Sequence, residues 1–112
     1  MGPTLRPRYA HEVSLSQLEY FVAVAETGNV GRAANDLHIA QPAVSRQIRK
    51  LEDELGAALF IRTPRGMRLS GAGEVLLGHA RSILGRVKAA RDAVQVASLG
   101  VPPSAASPRQ RV

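Results

Sequence analysis

Between Leu37 and Gln41 the chain has only three residues, His38-Ile39-Ala40, in which to close one helix and open another. Pro42 marks the restart. With Gln41 at the N-cap and Pro42 at the first helical position, the missing proline N–H costs nothing. Upstream, Val30, Ala33, Ala34 and Leu37 recur at i, i+3, i+4 and i+7, the period of a helix of about two turns that buries one face. Asn29 is placed to cap it. Downstream, Val44, Ile48, Leu51 and Leu55 form the inward stripe of a longer helix, and Gly56 stops it in the left-handed conformation that glycine tolerates. Two helices joined by so short a turn make a helix-turn-helix pattern.

A further helix precedes this pair. Ser14 and Ser16 each have Gln or Glu three positions later, the capping-box spacing. The stripe Leu18, Phe21, Val22, Ala25 follows, and Gly28 ends it. After Gly56 the period changes. Leu59-Phe60-Ile61-Arg62 and Met67-Arg68-Leu69 read as two strands around Thr63-Pro64-Arg65-Gly66, with Pro at the second turn position and Gly at the fourth. A hairpin directly after a helix-turn-helix is a wing. From Ser70 onward Leu76, Ala80, Ile83, Val87, Ala90, Val94 and Ala97 form a heptad seam, with Leu77 and Leu84 as a second stripe for packing on the winged domain. Roughly 27 residues of helix span about 40 Å, too long for a small domain to cover, so the seam predicts a partner chain. Gly78 and Gly85 each cost about 1 kcal/mol relative to alanine and strengthen that need.

The expected architecture is mainly α: a winged helix-turn-helix over residues 14–70, of three helices plus a two-stranded wing, followed by a long dimerisation linker helix over 71–98. Residues 1–13 read as a disordered arm and 99–112 as a flexible Pro/Ser linker. Aromatics make up only 4% of the chain, which leaves Leu, Val, Ile and Ala to fill the core. Without cysteine there is no disulfide framework and no Cys-based zinc site. No apolar run reaches a membrane span and no secretory signal opens the chain, so a cytoplasmic location is expected.

The formal net charge of +6 invites a nucleic-acid partner. Yet Arg6, Arg8, Arg109 and Arg111 fall in the tails, and the remaining basic residues nearly balance the 9 acidic ones. Position matters more than total. Turning the third helix by 100° per residue sets Pro42, Arg46, Arg49, Lys50 and Asp53 opposite the core stripe, with Gln41 and Ser45 on the flank. Arginine offers a fork to guanine and glutamine pairs with adenine, while hydroxyl and apolar groups meet thymine methyls or phosphates. The N-terminal end of a recognition helix meets base edges, and these groups gather at that end. Arg65 stands at the wing tip, where a narrow minor groove would attract it. Arg62 and Arg68 are placed for phosphates. The run Glu52-Asp53-Glu54 opposes the helix macrodipole and has no explanation in the sequence.

Two other function classes compete for these residues. Gly71-Ala72-Gly73 follows a strand and opens a helix, as a dinucleotide loop does, but Gly78 falls at the wrong spacing and no second strand completes the unit. His11, His38 and His79 are scattered, and Ser45 has no His or Lys to activate it, so no catalytic site is expected. The other class is a protein-docking module that dimerises through its long helix. Negligible affinity for any DNA at low salt would favour it.

Residues 15 to about 85 strongly resemble the N-terminal domain of LysR-type transcriptional regulators. The resemblance rests on Leu18 to Glu26, Arg32-Ala33-Ala34 with Leu37, and above all Ala40-Gln41-Pro42-Ala43-Val44-Ser45-Arg46-Gln47-Ile48. Lys50-Leu51-Glu52, Glu54-Leu55-Gly56, Leu59-Phe60, Arg62-Thr63, Leu69-Ser70 and Ala72-Gly73 complete it. It implies double-stranded DNA with interrupted dyad symmetry as partner and a linker helix paired antiparallel with its twin. It places Gln41, Pro42, Ser45 and Arg46 at bases or flanking phosphates, Arg49 beside them, and Arg65 in the minor groove. Arg62, Thr63 and Arg68 would contact DNA from the wing, and Asn29 and Arg32 from the start of the second helix. Leu76, Ala80, Ile83, Val87, Ala90 and Val94 would carry the dimer. It further implies a second domain that takes a small-molecule effector and a tetramer of the longer protein, so this chain is expected to be a fragment that binds DNA without a cofactor of its own. Three departures stand out. Asn29 and Gly31 replace hydroxyl residues that touch phosphate, leaving backbone N–H groups to serve there. Ile61 replaces an acidic residue. Gly71 replaces a bulkier one, implying a loose start to the linker helix.

Overall fold

The computed structural model describes residues 13–100, in the order α1 (Leu15–Thr27), α2 (Val30–Leu37), α3 (Gln41–Leu55), β1 (Phe60–Thr63), β2 (Gly66–Leu69) and α4 (Gly71–Ser98). The expected arm over 1–13 and linker over 99–112 lie almost wholly outside these residues. Of the two serines that might open α1, Ser14 does so. Its hydroxyl accepts from the Gln17 N–H, and the Gln17 side chain accepts from the Ser14 N–H, both at 3.1 Å. Gln17 is itself buried, and its amide donates to Gln47 Oε1 at 3.3 Å, tying the start of α1 to α3. The buried face of α1 runs through Gln17, a polar residue that an apolar stripe does not count. Leu18, Phe21 and Val24 are buried, whereas Val22 and Ala25 are only half-buried, which corrects the stripe expected from spacing.

Gly28 ends α1 at φ 70°, and the Asn29 side chain then accepts from Arg32 N at 2.9 Å to open α2. Ala33 and Ala34 are buried, and their small side chains let α3 approach. His38 closes α2 in the left-handed region at φ 59°, a conformation that costs a side-chain-bearing residue roughly 1–2 kcal/mol. One register differs from expectation. Ala40, not Gln41, is the N-cap of α3, and Ala43 and Val44 both donate to the Ala40 carbonyl. Pro42 therefore stands one position later, still within the first turn.

Val44, Ile48 and Leu51 are buried as expected, but Leu55 is 43% exposed. It is the last residue before left-handed Gly56, where the chain turns away and brings no element over it. The core is filled by Phe21, Val24, Val44, Leu51 and Leu59, each worth about 1.5–3 kcal/mol on full burial. Phe21 and Phe60 meet at 5.3 Å between ring centroids, joining α1 to the wing.

The hairpin pairs Phe60 with Leu69, Ile61 with Arg68, Arg62 with Met67 and Thr63 with Gly66. Its base is fixed from α3. The Glu52 carboxylate accepts from Leu59 N at 2.8 Å and Phe60 N at 3.4 Å, which gives the first acid of the Glu52-Asp53-Glu54 run its role. Replacing Glu52 with alanine is expected to lower stability by roughly 1.5–3 kcal/mol, and Glu52→Gln, which keeps one carbonyl acceptor, by less. Urea unfolding of both variants checks the order.

The start of α4 is not loose. Ser70 Oγ accepts from Gly73 N at 3.0 Å and donates to the Ala58 carbonyl at 2.7 Å, and Ser70 N donates to the Leu59 carbonyl at 2.9 Å. Residues up to Arg81 form one unit and those from Ser82 a second. Within the first, Ala80 is fully buried and Leu76 half-buried. Ala80 packs inside its own chain, which removes it from the expected dimer seam, while Leu76 keeps part of its surface open. In the second unit Ile83 and Val94 are 41% and 67% exposed, Ala90 is exposed and Val87 half-buried.

Candidate nucleic-acid interface

Three short segments present the candidate residues. On α3, Gln41, Pro42, Arg46 and Arg49 are exposed and Ser45 is half-buried. Pro42, Arg46 and Arg49 occupy the face turned away from Val44, Ile48 and Leu51, whose side chains are held by the core, with Gln41 and Ser45 on its flank. On the wing, Arg62, Arg65 and Arg68 are exposed. Arg32 and Asn29 are exposed at the start of α2.

Electrostatically, the decisive fact is what these arginines lack. The ion pairs among the described residues are Arg81 with Glu26 and Lys88 with Asp92, both at 3.1 Å. Arg32, Arg46, Arg49, Arg62, Arg65 and Arg68 have no carboxylate partner there. Their guanidinium groups are left to solvent or to an external anion.

The hairpin register divides the wing. Cross-strand partners share a face, so Arg62 lies with Met67 on the side of Phe60 and Leu69, while Arg68 lies with Ile61 on the other. Ile61 is 44% exposed; an acid at this site would stand directly opposite Arg68, and its absence leaves that arginine unpaired. Pro64 and Arg65 form the tip. Thr63 behaves differently from the expectation of an outward contact. Its hydroxyl donates to the Gly66 carbonyl at 3.0 Å and accepts from Arg65 N at 3.2 Å, so it holds the turn that presents Arg65. Asn29 is likewise occupied, its Oδ1 capping α2.

The wing is also tied to the helices. Met67 N donates to the Gly28 carbonyl at 3.0 Å, so the turn between α1 and α2 sets the height of the hairpin. The tertiary contacts of Gln17, Gly66 and Gly73 are not legible in the sequence because their partners lie far along the chain, and the carboxylate of Glu52 finds its two N–H donors only once the chain turns at Gly56. The capping pattern at Ser14 pointed to Gln17, but not to Gln47.

No group of three metal-ligating side chains exists among the described residues, and no helix among them is long and apolar enough to cross a membrane. Tightly joined helices, a wing and a face of unpaired arginines define a winged helix-turn-helix protein. Residues 15–74 match the bacterial regulatory helix-turn-helix proteins of the LysR family. The HTH-type transcriptional regulator TfdT of Cupriavidus pinatubonensis is 48% identical over 88 residues, which cover 79% of this chain and 39% of that regulator. Among solved structures, the CbnR DNA-binding domain in complex with DNA superposes with a TM-score of 0.71 at 42% identity, covering 76% of this chain and 98% of that one. The BenM DNA-binding domain bound to its catB site 1 DNA gives 0.74 at 36% identity, covering 76% and 96%. The chain belongs to the LysR family of bacterial regulators, a family of transcription regulators rather than enzymes.

Proposed function

We propose that this chain is the sequence-reading end of a LysR-type transcription regulator that binds double-stranded DNA as a homodimer. The observation that carries the reading is the set of exposed, unpaired guanidinium groups on α3 and the wing. In this reading the first two turns of α3 enter the major groove. Arg46 and Gln41 meet base edges, and Ser45, Pro42 and Arg49 meet methyls and phosphates. Arg65 enters the adjacent minor groove. Arg62 and Arg68, on opposite faces of the hairpin, meet the two phosphate walls that flank it. Arg32 approaches the backbone from α2, where the N–H groups of the helix start favour an anion.

Dimerisation runs through Ile83, Val87, Ala90 and Val94, apolar positions at heptad spacing that a lone helix leaves to water. A two-fold dimer reads two half-sites one helical turn, or a multiple, apart. TfdT is more than twice the length spanned here, which leaves room in the longer protein for a domain that takes a small-molecule effector and for a tetramer. Such a regulator works on the bacterial chromosome in the cytoplasm.

The test is a footprint on the DNA upstream of the chain's own gene at two salt concentrations. Two related protected half-sites are expected. Arg46→Ala should lose roughly 1–3 kcal/mol of discrimination at one base position, whereas Arg62→Ala should weaken all sequences evenly and lower the salt slope by about 1. Equal losses across all sequences in both variants would overturn the division of labour between helix and wing.

A further inference from the structure

Gly31, in the first turn of α2, lies against Gln41 at the start of the reading helix, and what matters there is the side chain it lacks. A Cβ at this position would lie 3.3 Å from Gln41 Oε1, 3.8 Å from Gln41 Cδ and 3.2 Å from Asn29 Oδ1. The Gln41 carboxamide thus rests on the bare backbone of α2. Both oxygens would crowd a methyl group, and one of them must give way. Asn29 is held, because its Oδ1 caps α2 through Arg32 N at 2.9 Å. The Gln41 side chain makes no hydrogen bond among the described residues, and an open cleft of about 350 Å³ lined by Gly31, Ala34, Asn35, His38, Ile39 and Gln41 flanks it. The carboxamide is therefore the group that a side chain at position 31 would displace.

Resting on the DNA-reading function proposed above, we infer that Gly31 is a specificity-setting position: by presenting no side chain beneath Gln41 it leaves that carboxamide room to lie against α2, from where it reads its base. Gly31 touches no base itself and acts as a positioning residue. A glutamine pairs with adenine through two hydrogen bonds at once, and such a contact tolerates little displacement.

The test compares binding of the full 112-residue chain to a randomised library of its operator for the parent, Gly31→Ala, Gln41→Ala and the double variant. Alanine adds only the Cβ and favours the helix over glycine, so the variant keeps its fold, which a melting curve verifies. Gly31→Ala is expected to reduce discrimination at the base position that Gln41→Ala also affects, by roughly 5-fold or more. Other positions should be unchanged, and no further loss should occur when Gln41 is already alanine. An unchanged preference would overturn the inference. So would an even loss at every position, or an equal loss in the Gln41→Ala background, because Gly31 would then act through the backbone approach of α2 to phosphate. A parent chain that binds DNA with no base preference would overturn the DNA-reading function, and the inference with it, before any variant is made.

Discussion

Gly73→Ala is expected to destabilise the chain by at least about 3 kcal/mol, the upper end of what overpacking costs. A Cβ there would lie 2.1 Å from the Leu59 carbonyl oxygen, 2.8 Å from Leu69 Cδ2 and 3.1 Å from Leu59 C. Two of these three atoms are backbone and cannot swing aside. The same stretch carries the Ser70 cap and the Ser70 N bond to the Leu59 carbonyl, so backing the helix away breaks the contacts that start it. Small domains are stable by only about 5–15 kcal/mol, so the loss is a large share. Gly78 provides the control. Nothing lies within 4 Å of its added Cβ, and Gly78→Ala should gain up to about 1 kcal/mol from helix propensity. Urea midpoints moving in opposite directions for the two variants are the expected outcome. An unshifted Gly73→Ala midpoint would mean that α4 slides past Leu59 at no cost.

The second large effect is at the wing. Gly66 has φ +131°, and a Cβ on it would lie 2.3 Å from the Gly28 carbonyl oxygen. An alanine carries a backbone cost of about 1–3 kcal/mol in such a region, and the clash adds to it. The hairpin must lift from the α1–α2 turn, breaking the Met67 N bond to Gly28. Amide exchange should show this as fast exchange at Met67, while the amides of Leu51 in the core stay protected. On the proposed DNA-reading function, DNA affinity should fall with it, because Arg65 would be carried away from the minor groove. Gly56, also left-handed at φ +69° but with nothing within 4 Å, should lose only about 1 kcal/mol as alanine. Full protection of Met67 in Gly66→Ala would show that the wing is not held by that turn.

These two glycines mark the border of what local sequence can tell. Pro42, Gly28 and Gly56 act on their own neighbours, and the helices they bound appear where periodicity puts them. The wing is equally local: Pro64 and Gly66 fall where a two-residue turn needs them, and the paired register follows. Gly73 looked like half of a phosphate loop. Its reason is a carbonyl fourteen residues away in the chain's numbering, which no spacing rule reaches. Val24 took the place expected for Val22 and Ala25 because the buried face starts at Gln17, a polar residue that a search for apolar spacing passes over. Ala80 shared the seam spacing of Val87 and Val94, yet the core claimed it. Heptad period alone does not distinguish a helix's own domain from a partner. The exposed arginines were legible as a face because the opposite stripe is apolar. Thr63 was not, since a hydroxyl that holds a turn and one that meets phosphate look alike in sequence.

Helix α3 is anchored and exposed at opposite ends. Glu52 grips the base of the wing near its C-terminus, while Gln41, Ser45 and Arg46 stand six to eleven positions earlier, about 9–16 Å away along the axis. The wing rests on Gly28 and not on those residues. Mutations at the exposed end therefore leave the folding free energy almost untouched, and a lineage can drift from one operator to another through intermediates that all remain folded. Recognition in such a protein evolves on a surface that stability does not police.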